Sequence, residues 1–371
     1  MLLITGVGAS LACGGLLDVE VYEADAEAPM PLPDGVHRLE ALLEPLRAKH
    51  DLPALGAAVV HGSELVAIGA TGTRASGMDR PVTVHDRWHL GSNTKSMTAT
   101  LLAHQVKAGR LTWDTPLRDV FPTAHAGWNA VTVADLLHQT ARPDDLGLYE
   151  LFAWRADARA PHEIRRDWVL DTLAAPPDPG AFDYRNAHYV IAGTVLEEVA
   201  GTPWEALIVS DLFTPLGMTR SGLGPPRGEH QPWGHAKAFG TLSANPPSIW
   251  ADNPEALGPA GTAHASLHDW ARYAAAHLAI ERGDAPWDDP AYRWLHTPAE
   301  GETYAAGWIL DDGDWADGRL LWHNGSNGSW YALMQLIPSQ DRAILVATNV
   351  MDPEAIQRVA EAVAAADLAP D

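Results

Sequence analysis

A chain of 371 residues, 46% apolar and 20% charged, has the length and balance to bury a sizeable core, which excludes a disordered protein. The formal net charge of −23, with no basic cluster in the sequence, excludes a nucleic-acid or anionic-lipid partner held through phosphate contacts. Fifteen tryptophans, spread from Trp88 to Trp330 without repeat, read as core and cleft filling.

In chain order, residues 2–12 form a short apolar run that ends at Cys13-Gly14 and is too short to span a bilayer as a stable helix. It resembles a bacterial lipoprotein signal, although no Lys or Arg precedes it and Ser10 stands where such signals usually carry Leu. Residues 1–33 are therefore expected to be a signal and an acidic, Pro-containing tether, with Cys13 as a lipid anchor and the protein exported. Leu39, Leu42, Leu43 and Leu46 mark an amphipathic helix closed by Asp51-Leu52-Pro53. Leu55–Val60 and Glu64–Gly69 read as strands joined at His61-Gly62-Ser63.

Next comes Trp88-His89-Leu90-Gly91-Ser92-Asn93-Thr94-Lys95, followed by Met97, Leu101, Leu102 and Val106 at helical spacing and by a stop at Gly109. Helical spacing puts the Lys95 amine beside the Ser92 hydroxyl, a weak nucleophile that needs a neighbouring base. With only four lysines in the chain, a Ser three positions before one of them arises by chance about one time in seven, so the pair alone does not decide the chemistry. A plain helix cap is the competing reading of Ser92.

From Thr132 to about Ile280 the punctuation is helical: Thr132 precedes Asp135 by three, Ser266 precedes Asp269 by three, and Thr202-Pro203-Trp204-Glu205 reads as a helix start. The long stretches Ala175–Tyr184 and Gly222–Pro259 read as loops able to wall a cleft. Within this region Tyr184-Arg185-Asn186 offers a phenol and a carboxamide two residues apart, just before a helix through Val190, Ile191, Val195 and Val199. Strands return at Gly307–Leu310, Leu320–His323, Trp330–Ile337 and Arg342–Thr348, and a helix from Pro353 to Ala366 closes the chain. Trp322-His323-Asn324-Gly325-Ser326 lies at a strand end, where Gly325 would let a substrate approach the backbone. The fold expected is mixed α/β (α+β): residues 34–90 with 300–371 as a sheet domain, 91–299 as an inserted helical domain, and a cleft between them.

Two other site types find little support. His85 with His89 and His264 with His268 have helical ligand spacing, but no His-Glu-x-x-His occurs and Cys13 is the single cysteine, so no metal or cofactor is expected. No Gly-x-Ser-x-Gly occurs either, which sets aside an α/β-hydrolase esterase.

Ser-x-x-Lys, Tyr-x-Asn and His-x-Gly in this order resemble the serine hydrolases related to class C β-lactamases and D-Ala-D-Ala carboxypeptidases. Gly109-Arg110-Leu111, Pro215-Leu216-Gly217-Met218-Thr219, Gly258-Pro259-Ala260-Gly261, Gly307-Trp308 and Thr348-Asn349 add to the resemblance, which spans roughly residues 35–350. It implies an antiparallel sheet flanked by helices beside an all-helical domain. It also implies Ser92 as the acylated nucleophile, with Lys95 and Tyr184 sharing proton transfer and Asn186 holding the substrate amide or the Lys95 amine. The N–H groups of Ser92 and Ser326 would form an oxyanion hole, and His323 would contact the far side of the substrate. Three departures bear on substrate: His323 replaces the Lys of the usual Lys-Thr-Gly, no Glu-x-x-Leu-Asn occurs, and Ala141 replaces a Gly after His138-Gln139-Thr140. The expected activity is that of an esterase or D-amino-acid peptidase on a small ester, amide or D-peptide, with weak or no β-lactamase action. A sensor that acylates without turnover and a true class C-like β-lactamase are the alternatives.

Overall fold

Segments from both ends of the chain meet in one sheet in the computed structural model of the protein, which describes residues 32 and 35–366 except 179, 229, 239 and 240. The export signal and the Cys13 anchor expected within residues 1–33 lie outside the described residues, Leu32 apart. The strands are, in chain order, β1 (His37–Arg38), β2 (Ala54–His61), β3 (Glu64–Gly72), β4 (Arg87–His89), β5 (Ser221–Leu223) and β6 (Gly234–Ala238). They continue with β7 (Thr241–Asn245), β8 (Ala263–Ser266), β9 (Ile309–Gly313), β10 (Gly318–Gly325), β11 (Tyr331–Ile337) and β12 (Arg342–Thr348). The main sheet has the order β1-β3-β2-β12-β11-β10-β9 and is antiparallel except for the short β1–β3 pair.

The middle strands are apolar on both faces because helices cover both. Helices α1 (Glu40–Lys49) and α6 (Pro353–Ala365) lie on one face, where Leu39, Leu43, Ile356, Val359 and Val363 pack on Val59, Ile344 and Val346. The α6 stripe repeats at three and four residues, as a helix on a sheet requires. Asp352 starts α6 by accepting a hydrogen bond from the Ala355 amide at 3.1 Å. Asp352→Ala should lower stability by about 1 kcal/mol, read from the denaturant midpoint at unchanged m-value.

The opposite face is covered by α5 (Leu267–Arg282), whose Ser266 cap accepts from the Asp269 amide. This helix falls inside the 91–299 block read from sequence as helical domain, yet it packs on the sheet, with Leu267 reaching Gly56 of β2. The remaining helices form their own layer around α2 (Thr94–Lys107), which packs on α4 (Asn186–Ala200) and on the turn Gly258–Gly261. Helix α3 (Leu148–Ala156) lies at the edge of this layer. The stretch Gly222–Pro259, read as loop, contains the hairpin β6–β7, and β5 joins β4 and β8 in a separate three-stranded sheet. That sheet carries the chain from the main sheet into the turn before α2.

Candidate active site

Ser92 sits in the single turn Gly91–Asn93 that leads into α2, and Lys95 in the first turn of that helix. Lys95 is fully buried, its Nζ 2.9 Å from Ser92 Oγ, 2.8 Å from Asn186 Oδ1 and 2.8 Å from the Ala260 carbonyl oxygen. Burial disfavours the ammonium and brings the Lys95 pKa down to about 7, against a smaller opposing pull from Asp145. A neutral amine has two N–H groups and one lone pair. Asn186 and Ala260 take the two N–H groups, which leaves the lone pair for the Ser92 hydroxyl proton. Of the two roles open to Asn186, the structure shows the hydrogen bond to the Lys95 amine.

Tyr184 arrives from the Ala175–Tyr184 loop with its hydroxyl on the side of Ser92. Although Tyr184 is 41% exposed as a residue, desolvation at its hydroxyl end pushes the pKa well above the usual phenol value, so it stays protonated, and the Lys95 amine lies 4.9 Å from the ring centre. The segment is pinned by Gln139, in the left-handed region at φ 62°, whose carbonyl accepts from the Asp183 amide at 3.0 Å and whose Oε1 accepts from the Arg185 amide at 2.8 Å. His188 braces the same loop by accepting from the Arg142 amide at 3.0 Å, and burial holds it neutral with a pKa lowered to about 4. The left-handed positions here are Gln139 and Arg142, so Ala141 needs no glycine conformation.

The end of β10 closes the other side. A Cβ at Gly325 would sit 2.0 Å from the Leu90 carbonyl oxygen and 2.4 Å from the Ser92 nitrogen; one at Gly91 would sit 2.2 Å from the Ser326 nitrogen. The amides of Ser92 and Ser326 thus border one contact between two glycines. Gly325 was expected to admit substrate, but the backbone that approaches it is the chain's own nucleophile turn. Gly325→Ala should push the two loops apart, with a fall of about 100-fold in kcat/KM, measured alongside the melting temperature.

His323 departs from expectation. It is 1% exposed, its Nδ1 lies 2.5 Å from the Asn324 carbonyl oxygen and its Nε2 lies 3.2 Å from the Tyr304 hydroxyl. Burial and the nearby Lys95 amine lower its pKa to about 3, so it is a neutral ring with both nitrogens engaged rather than a contact on the far wall of the cleft. Tyr304, which carried no sequence signal, stands beside it at ring-centre distances of 5.8 Å from both His323 and Tyr184. Ser326 Oγ donates to the Trp330 carbonyl at 2.6 Å, which leaves its backbone as the part turned toward Ser92.

Residues 39–368 match the Beta-lactamase family. The chain belongs to this family. It is a serine hydrolase by that membership, and the order of Ser-x-x-Lys, Tyr-x-Asn and His-x-Gly along the chain agrees with it. Among relatives, penicillin-binding protein 4 of Amycolatopsis lactamdurans is 27% identical over 334 residues, covering 82% of each chain. The crystal structure of SurE superposes with a TM-score of 0.70 at 25% identity, over 88% of this chain and 73% of that one. A class C β-lactamase from Rhodobacter sphaeroides shares the fold, with a TM-score of 0.67 at 21% identity over 86% of this chain and 96% of that one. The Beta-lactamase fold accounts for the sheet flanked by helices and for the helical layer beside it.

Proposed function

We propose that the protein cleaves a small ester or D-amino-acid amide through an acyl-Ser92 intermediate, with little action on β-lactams. The observation that carries this reading is the contact between Ser92 and a Lys95 amine whose pKa is about 7. Lys95 takes the hydroxyl proton as Ser92 Oγ attacks the carbonyl carbon. The amides of Ser92 and Ser326 hold the oxyanion, a type of contact worth about 3–4 kcal/mol per donor. Tyr184 gives its proton to the leaving atom and takes the one held by Lys95. In deacylation a water attacks the acyl carbon, its proton passes through Tyr184 to Lys95, and Lys95 returns one to Ser92 Oγ.

The substrate preference rests on His323. Class C β-lactamases carry a Lys at this position, whose charge attracts a carboxylate, whereas a ring with pKa about 3 offers no positive charge near neutrality. The net charge of −23 adds no long-range attraction for an anionic drug. Exposed apolar side chains border the cleft. Trp250 stands 58% exposed beside Phe152 of α3, and the next residues, Ala251 and Asp252, accept hydrogen bonds from Asn327, the neighbour of Ser326.

The test is a panel of p-nitrophenyl esters of rising chain length, D-Ala p-nitroanilide and a chromogenic cephalosporin, compared by kcat/KM. The D-amino-acid amide is included because SurE has also been solved with D-Leu. Esters should lead and the cephalosporin should trail. Trp250→Ala should raise KM for the longer esters by about 3- to 10-fold and leave the acetate unchanged. The relative named penicillin-binding protein 4 favours a second reading, a chain that acylates with a β-lactam and keeps the adduct. Intact-protein mass spectra over hours separate the two: a persisting adduct supports that reading, and recovery of free protein supports the hydrolase.

A further inference from the structure

Behind the Ser92 turn lies a buried polar chain that the mechanism above does not use. His89, the last residue of β4, is fully buried, and its Nδ1 accepts a hydrogen bond from the Gly91 amide at 3.1 Å. That acceptance puts the ring proton of the neutral imidazole on Nε2, which donates to Asp252 Oδ2 at 2.8 Å. Asp252, 5% exposed, uses Oδ1 to accept from the Asn253 amide at 2.7 Å and from Asn327 Nδ2 at 2.8 Å. Asn327 Oδ1 in turn accepts from the Ser329 amide at 3.1 Å, which fixes the side chain in its loop.

The chain starts one residue before Ser92 and ends one residue after Ser326. A serine next to a His–Asp pair suggests a catalytic triad, but both ring nitrogens of His89 are engaged, one by Gly91 and one by Asp252, so neither is open to Ser92 Oγ. Direct contact between the Gly91 and Gly325 turns sets how close the two loops come. The polar chain sets how each is rotated, because it holds the Gly91 peptide on one side and the Asn327 side chain on the other. We infer that His89, Asp252 and Asn327 are positioning residues that fix the Ser92 and Ser326 amides at the separation an oxyanion needs. This rests on the reading of Ser92 as nucleophile. Hydrogen-bond donors aimed at a developing oxyanion lose most of their effect when displaced by a fraction of an ångström.

Asp252→Asn keeps the shape but can present an oxygen to His89 or to Asn327, not to both, since its other atom is a donor. Asn327→Ala removes the far link from a loop and leaves the buried pair in place. Both variants, counted by active sites titrated with a fluorophosphonate, are assayed with p-nitrophenyl acetate and with benzeneboronic acid, whose tetrahedral adduct on a serine places an oxygen where the oxyanion forms. Each variant should lose about 10- to 100-fold in kcat/KM, almost all in kcat, with KM within about threefold and the boronate Ki rising in step. A role in folding alone would lower the melting temperature and leave both quantities per active site unchanged. The inference is overturned by variants that stay within twofold of wild type, or that lose turnover while the boronate binds as before. Should Asp252→Asn not fold, Asn327→Ala carries the same test. Turnover retained by Ser92→Ala would instead refute the nucleophile reading, so the two failures are told apart.

Discussion

Ser92→Ala should abolish ester turnover, with a loss on the order of 10⁴–10⁶-fold in kcat. It should also lose covalent labelling by a fluorophosphonate, which needs the hydroxyl. The size follows from covalent catalysis: without Oγ, neither Lys95 nor Tyr184 has a proton to move in the acylation step, and the two amides have no adduct to stabilise. Folding should be little affected. Ser92 stands in the turn before α2, and removing Oγ takes one hydrogen-bond partner from Lys95 while Asn186 and Ala260 still hold the amine. An alanine variant that labels and turns over like wild type would end the acyl-Ser92 proposal.

What could be read in the sequence follows the range of the contacts involved. Ser92 and Lys95 are three residues apart, so helical geometry alone predicts their approach, and the structure has it at 2.9 Å. The strands β2, β3, β11 and β12 were legible because apolar runs bounded by turns have one cheap solution, and the caps at Thr132 and Ser266 were written in local pairs. Contacts between distant segments left no such mark. β5 and β8 are separated by some forty residues, and a three-residue strand within a Gly- and Pro-rich stretch is indistinguishable from loop. His89 drew notice only through its spacing to His85, whereas its partner Asp252 lies 163 positions away. His323 was legible by type but not by surroundings: the Tyr304 hydroxyl that meets its Nε2 comes from 19 positions away, and no spacing rule connects the two.

Replacing Lys95 should carry the next largest cost after removing the hydroxyl. Lys95→Met keeps the length and removes the base, and kcat/KM should fall by about 10²–10⁴-fold, within the range seen for loss of a general base. In the wild type the amine is active when neutral. Activity should therefore be low in acid, rise as pH passes through about 7, and then level off, because Tyr184 is held protonated well above its ordinary range and imposes no limb nearby. A profile still rising steeply at pH 10 would show that the amine keeps its ordinary basicity. The same shift has a signature in stability that needs no substrate. The unfolded chain keeps the Lys95 proton up to about pH 10.5, while the folded protein releases it near 7. Between those values the unfolded state binds more protons, so the stability of wild type relative to Lys95→Met should grow with pH by about 1.4 kcal/mol per pH unit. The difference should be flat below pH 7, where both states hold the proton. Denaturant titrations of the two proteins at pH 6, 7.5 and 9 measure it directly, and parallel curves would mean that the buried amine is not the group that titrates in the rate profile.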